Sequence, residues 1–312
     1  MSALSGNNTG TSYFGWLFRF LTKVFVFVVL LPITLGIVIG AIAGGDKTVV
    51  SNSKHKVAVV ELTGPIMDTK EVVKNLHVQA NNKSVSGIVL RIDSPGGAVA
   101  PSQDIFRTVE KLKAKKPIVV SMGSVAASGG LYSALSASKI FAQAGTQTGS
   151  IGVIAQIPNF HKLANNNGIT FLTVTSGKHK DVGNPTRAVT EEDKKFLKTT
   201  IEKIYQQFLD DVITSRKLDR NSFIEYADGR VILGSEAKEI GLIDEIGDIY
   251  AASRAIFELK GSPLGEGVYP SLVYSSDKFG QLKDALSAIS NIPAKLLGYD
   301  IRQYPKPEIL LY

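Results

Sequence analysis

The stretch GSVAASGGLY, residues 123–132, sets one hydroxyl, that of Ser128, among glycines and alanines. Small neighbours of this kind suit a tight strand-to-helix turn, which holds a serine Oγ where a peptide carbonyl can approach it. Two more glycine-bearing turns, DSPGG (93–97) and GTQTGS (145–150), share the character. Glycine pairs leave backbone N–H groups uncovered, and uncovered donors can hold an oxygen that becomes negative. The competing expectation is that these glycines serve helix starts and packing, with Ser128 merely a cap.

A serine hydroxyl is a poor nucleophile without a base. His55 lies in a polar tether, and His77 and His161 fall away from the glycine turns, whereas His179 lies in TSGKHKDVGNP (175–185). The same loop carries Lys178 and Lys180. A lysine amine can replace imidazole only when neutral, and burial must then weaken its hold on the proton by about 4 kcal/mol. Residue chemistry thus leaves serine/histidine and serine/lysine pairings open, both for acyl transfer. The chain has 0 cysteines, so thiol nucleophiles, thiolate zinc sites and disulfides are excluded. Acyl transfer of this kind calls for no metal and no cofactor.

The elements that must position these groups read as alternating strands and helices. The β-branched runs are VAVVEL (57–62), GIVLRI (87–92), PIVVSM (117–122), KIFAQA (139–144) and TFLTVT (170–175). Between them, Gln103 to Lys113 places Ile105, Phe106, Val109 and Leu112 at helical spacing. A longer helix opens at Thr190 in TEED, a hydroxyl cap followed by acidic residues over the positive helix end, and carries an apolar stripe from Phe196 to Ile213. Continuous apolar strands separated by helices predict an α/β fold with a mainly parallel sheet covered on both faces. The strands of such a sheet end at one edge, so the three glycine turns are expected to converge there.

At the front, Val24 to Gly45 (VFVFVVLLPITLGIVIGAIAGG) carries no charge. A run of about 20 apolar residues crosses a bilayer core of about 30 Å. This predicts one transmembrane helix over 24–45, between a tail (1–23) and a tether (46–56), then a catalytic body (57–260) and an extension (261–312). Arg19 and Lys23 precede the run while Lys47, Lys54 and Lys56 follow it, so charge does not choose the orientation. The cysteine-free body favours the extracytoplasmic side. A net charge of +7, spread among acidic residues, argues against nucleic acid and is compatible with attraction to anionic lipid headgroups.

In order, SPGG (94–97), GSVAASGG (123–130), TGSIGV (148–153), SGKHKD (176–181) and GRVILGSEAKEIGLIDEIG (229–247) resemble the signal peptide peptidase A family of serine/lysine peptidases, within the ClpP/crotonase fold group. The resemblance runs from about Val57 to Phe257. It implies Ser128 as nucleophile, Lys180, the lysine directly before the aspartate, as general base, and Ser150 as the group that orients the amine. It further implies an oxyanion hole from the N–H groups of Gly97 and Gly129, with substrate contacts at Gly96, Gly130 and Leu131. Leu131 and Leu233 depart from the family's usual aromatic and threonine, which bears on pocket shape rather than on the reaction. The function implied is a peptidase of the inner membrane that cuts hydrophobic remnant signal peptides, in a homo-oligomeric ring whose neighbouring subunits complete each site. A catalytically silent peptide-binding scaffold is the alternative from another class, and an acyl-CoA enzyme fits poorly with an anchored extracytoplasmic body. The ending YPKPEILLY (304–312) is extended by its two prolines and suits a neighbour's groove or a ring interface.

Overall fold

Four of the five β-branched runs form strands: β1 (Lys56–Thr63), β2 (Ile88–Ser94), β3 (Ile118–Ala126) and β4 (Lys139–Ala142) in the computed structural model, which describes residues 10–25, 28 and 55–274. They pair in parallel, with Ala58 opposite Ile88, Ile88 opposite Ile118, and Val119 opposite Lys139. The sheet is completed by β5 (Gln147–Gly149), β6 (Val231–Leu233), β7 (Glu245–Ile246) and β8 (Ser271–Tyr274). Only the β5–β6 pair is antiparallel among these strands.

The strands are apolar without alternation because both faces are covered. On one face Ala58, Val60, Leu90, Ile92 and Val120 pack with Leu76 of α2 (Lys70–Asn81), with Ile105 and Val109 of α3 (Val99–Lys113), and with Leu131 of α4 (Gly129–Ala134). On the other, Val57, Val89, Val119 and Phe141 meet a second helical cover. Ala252, Ile256 and Phe257 supply it from a helix over 249–259. Each fully buried side chain of this size contributes about 1.5–3 kcal/mol.

Three helices follow β5 in sequence and precede the end of the domain. They are α5 (His161–Asn166), the long α6 (Glu191–Arg216) and α7 (Arg220–Phe223). Beyond β6 come α8 (Gly234–Glu239) and α9 (Ile249–Leu259). Thr190 caps α6 as expected, with a reciprocal bond from Asp193, but the apolar stripe is buried only at Phe208, Leu209 and Val212. Phe196, in its first half, is exposed.

The fifth run, TFLTVT, is not a strand: residues 170–175 have no regular structure, and Leu172 is 94% exposed. Its composition is that of a strand, but it pairs with none of the described strands and its side chains stay exposed.

The topology forks at β3, whose residues 119–121 pair with β4 while Val125 pairs with Gln147 of β5. At the fork the register against β2 shifts between Ile92 and Ser94. The Asp93 carboxylate fills the gap by accepting the Val125 N–H at 3.1 Å. Gly123 is small for that reason, since a Cβ there would lie 2.8 Å from Asp93 Cγ. The shift bends β3 and aims its end at the fork.

The N-terminal part of the chain is a separate unit. Its described portion is α1 (Gly10–Phe25), in which Trp16 stacks on Phe20 at 5.7 Å. Most of the apolar run over 24–45, the tether up to residue 54 and the extension beyond 274 lie outside the described residues. Among the described residues no helix is long and apolar enough to cross a membrane.

Candidate active site

Ser128 follows the last residues of β3 and precedes α4, with φ 51 and ψ −119. Few residues other than glycine adopt such a backbone, which costs about 1–3 kcal/mol and persists only where the surroundings enforce it. Here they do. The Ser128 N–H donates to Gly149 O at 2.9 Å, its carbonyl accepts from Tyr132 N at 2.9 Å, and Ala127 N donates to Ser94 O at 3.1 Å. Ser128 stands at the N-cap of α4, yet its side chain makes no cap hydrogen bond. The capping role expected as the alternative is therefore absent, and the hydroxyl is left for other work.

The three glycine turns converge as the parallel sheet requires. At Gly96, with φ +103, a Cβ would lie 2.7 Å from Gly129 N and 2.9 Å from Ser128 Cβ. Gly97 packs against the Ile66 backbone, and a Cβ on Gly129 would sit 3.2 Å from Gly97 N. Hydrogen bonds from Ile66 N to Gly96 O and from Ala98 N to Ile66 O, both 2.8 Å, fix this turn. Within these turns the N–H groups of Gly97 and Gly129 donate to no backbone carbonyl.

Two expected substrate contacts are placed elsewhere. Leu131 is fully buried in the core, because α4 turns that side toward the sheet. Gly130 is buried too, and a Cβ there would come 2.8 Å from Ser94 O. Both residues pack the turn instead of lining a groove.

Beside Ser128 and Gly129 lies a small cleft with room for about 20 Å³, one water-sized group. Val99, Val153, Ile204 and Phe208 give it apolar walls. Its polar end is Tyr132, whose ring packs on Phe106 and Phe208 and whose hydroxyl donates to the Asp211 carboxylate. Gln103 donates to the Tyr132 hydroxyl oxygen at 3.3 Å. Burial, then the Asp211 bond, pushes the Tyr132 hydroxyl well above its ordinary pKa, so it stays a neutral donor. Sequence reasoning missed this trio, because Asp211 reads there as one more charge on the polar side of a helix.

The candidate bases lie on a surface segment. Lys178 pairs with Glu192 at 2.6 Å, and the amine holds that carboxyl below its usual range. The His179 ring stacks on Phe196, centroids 4.6 Å apart. Lys180 is exposed, with its N–H on Gly177 O at 3.1 Å, and makes no ion pair among the described residues. Neither Lys180 nor Ser150 lines the cleft at Ser128. Ser150, half-buried, has a left-handed φ of 50, and its N–H donates to Arg230 O at 2.7 Å.

One guanidinium fastens the segment that carries Lys180. Arg187 Nε reaches Asp181 at 2.6 Å, and its Nη2 reaches Asp193 at 2.9 Å. Asp193 also accepts the Thr190 N–H at 2.9 Å. Hydrogen bonds from Arg187 hold both carboxyls below the usual range, and the two carboxylates raise the pKa of Arg187 in return. The loop after Lys180 is thereby tied to the start of α6.

The family model for peptidase family S49 matches residues 110–262, and that for Clp protease matches residues 46–148. A putative protease, slr0021, of Synechocystis sp. is 36% identical over 198 residues, covering 63% of this chain and 72% of its own length. A putative signal peptide peptidase SppA of Enterococcus faecium is 34% identical over 209 residues, covering 62% of this chain and 61% of its own length. A solved ClpP1 mutant from Listeria monocytogenes aligns with a TM-score of 0.43 at 17% identity, over 62% of this chain and 94% of that one.

Proposed function

This chain belongs to peptidase family S49, the family of the signal peptide peptidases A, and from that membership we propose a membrane-tethered serine endopeptidase with a Ser128/Lys180 dyad. The observation that carries the reading is Ser128 itself: a strained, uncapped serine at the mouth of an apolar cleft, between two N–H groups that no backbone carbonyl takes. The layout proposed with it is a tail, an anchor over 24–45, a tether, a peptidase domain over 57–260 and a C-terminal extension, with the domain outside the cytoplasm.

In the proposed reaction a neutral Lys180 amine takes the Ser128 proton as Oγ bonds to the peptide carbonyl carbon. The carbonyl oxygen becomes an oxyanion that accepts from the Gly97 and Gly129 N–H groups, each worth roughly 3 kcal/mol. The bond to the leaving nitrogen breaks as the ammonium passes its proton to that nitrogen. Water, deprotonated by the same amine, then cleaves the acyl ester and frees Ser128. The Ser150 hydroxyl orients the amine between these transfers. A cleft with apolar walls and little room suits a small side chain at the cut, as in hydrophobic remnant signal peptides.

Lys180 is exposed in one chain, so the reading needs a neighbouring copy to cover and desolvate it. Phe171, Leu172 and Val174, exposed on the same segment, support such a neighbour. The test is labelling of the full chain by a serine-reactive phosphonate, together with turnover of a hydrophobic peptide. Both are expected, and both are expected to vanish in Ser128→Ala. Labelling that persists in Ser128→Ala would remove the assignment, and absence of turnover in the parent chain would favour the silent scaffold.

A further inference from the structure

We infer that the sheet edge where the strands begin is a docking face for an anionic lipid surface. The inference rests on the membrane-tether reading above, and concerns the edge opposite the one that bears Ser128.

Parallel strands begin together. Ser86 N donates to Lys56 O at 2.7 Å and Ile88 N to Pro117 O at 3.0 Å, which aligns the starts of β1, β2 and β3. The lead-in to β2 brings Lys83, the lead-in to β3 brings Lys115 and Lys116, and the end of α9 brings Lys260, whose amine lies 3.5 Å from Ser86 O. These four amines line one open cleft, with Asn81 and Ser86 among its other walls.

Helix carbonyls account for part of the cluster. Lys116 is half-buried, and its amine donates to the carbonyls of Gln79, at 3.0 Å, and Asn82, at the end of α2. Lys115 donates to the Asn81 side chain. Lys83, Lys115 and Lys260 are otherwise turned to solvent, and none of the four pairs with a carboxylate among the described residues. Glu258, two residues before Lys260, pairs with Lys139 at 3.8 Å. Burial, and after it the charges of Lys260 and Lys115, lower the pKa of Lys116.

A free phosphate and a lipid headgroup offer the same chemistry to such amines, and the course of the chain selects the lipid. The chain enters the domain at Lys56, on this same edge, directly after the tether. At ~3.3–3.6 Å per residue, residues 46–55 reach at most about 35 Å, so a bilayer holding the apolar run lies within a tether's length of the lysines. Anionic headgroups near the surface then gain from each amine, about fivefold in partitioning per lysine.

The test uses the full chain in lipid nanodiscs. Because the chain has 0 cysteines, Ser84→Cys and Ser124→Cys each give one labelling position, the first beside the cleft and the second near the far end of β3. Energy transfer from the label to acceptor headgroups is compared in phosphatidylcholine discs and in discs with about a third phosphatidylglycerol. The expected result is stronger transfer from position 84 on the anionic discs, little from position 124, and loss of the excess in Lys83→Gln/Lys115→Gln/Lys260→Gln, with turnover of a soluble peptide retained. Should that variant misfold, raised salt with the unaltered lysines must remove the same excess. Equal transfer from position 84 on both lipids overturns the docking face and leaves the tether reading intact. Failure of the chain to enter discs overturns both. Loss of the excess on adding inorganic phosphate at constant ionic strength would make the cleft a free-phosphate site and overturn the lipid assignment.

Discussion

The turn that carries Ser128 and the segment that carries Lys180 are built in opposite ways. From Ala126 to Ala137 every residue is buried except Ser128, whereas no residue over 152–190 is buried. The first region is fixed by backbone bonds among three turns and by glycines that admit no side chain. The second hangs on side chains, chiefly one guanidinium between two carboxylates. Under the proposed reading, the domain prepares the groups that would hold the substrate's oxygen and leaves the proposed proton carrier on a surface that a neighbour would complete.

That contrast breaks most readily at the two proposed dyad positions, Ser128 and Lys180. Ser128→Ala is expected to lower peptide turnover by about 10⁴-fold or more without moving the melting temperature, and Lys180→Ala to do nearly as much. His179→Gln is expected to stay within about threefold of the parent. Survival of turnover in Lys180→Ala, with loss in His179→Gln, would transfer the base role to the imidazole.

Next in size is a change in the packed turn. Gly96→Ala is expected to cost about 3 kcal/mol in denaturant unfolding, since the new Cβ meets Gly129 N and Ser128 Cβ in a left-handed backbone. A neutral result would mean that the turns are looser than their contacts imply.

Arg187→Met should act on the surface segment alone. Turnover is expected to fall about 10–100-fold, with a modest drop in melting temperature at neutral pH. The pH dependence follows from the depressed carboxyls of Asp181 and Asp193. Their contribution is fully present above the ordinary carboxylate pKa, about 4. It is lost as pH falls through the lower folded values, and the variant is expected to lack that acid-side step. Smallest of all is Tyr132→Phe, about 1 kcal/mol in stability and a few-fold shift in preference for the residue at the cut, read from a peptide library.

The sequence carried the frame of this molecule well and its side-chain partnerships poorly. Unbroken apolar runs can be strands only with both faces covered, so β1 to β4 and their common edge were legible from periodicity. TFLTVT has the same composition, yet a strand also needs a partner and a covered face, which no local pattern encodes, and here the run stays exposed. Leu131 and Gly130 were expected at the groove because sequence places them beside Ser128, but the direction of α4 turns them inward. Tyr132 and Asp211 are 79 residues apart, and nothing in either neighbourhood announces the other. The cap at Thr190 was legible because its partners are adjacent, while the role of Arg187 was not, since it joins two acids across a loop.

The amide of Ser128 is suspended from the carbonyl of Gly149, and the amide of the next residue, Ser150, from that of Arg230. Ser128, β5 and the residue before β6 are in this way joined by successive backbone bonds, which gives a displacement of β6 a short route to the Ser128 turn. Whatever grips that strand would acquire a handle on the proposed nucleophile without touching the cleft.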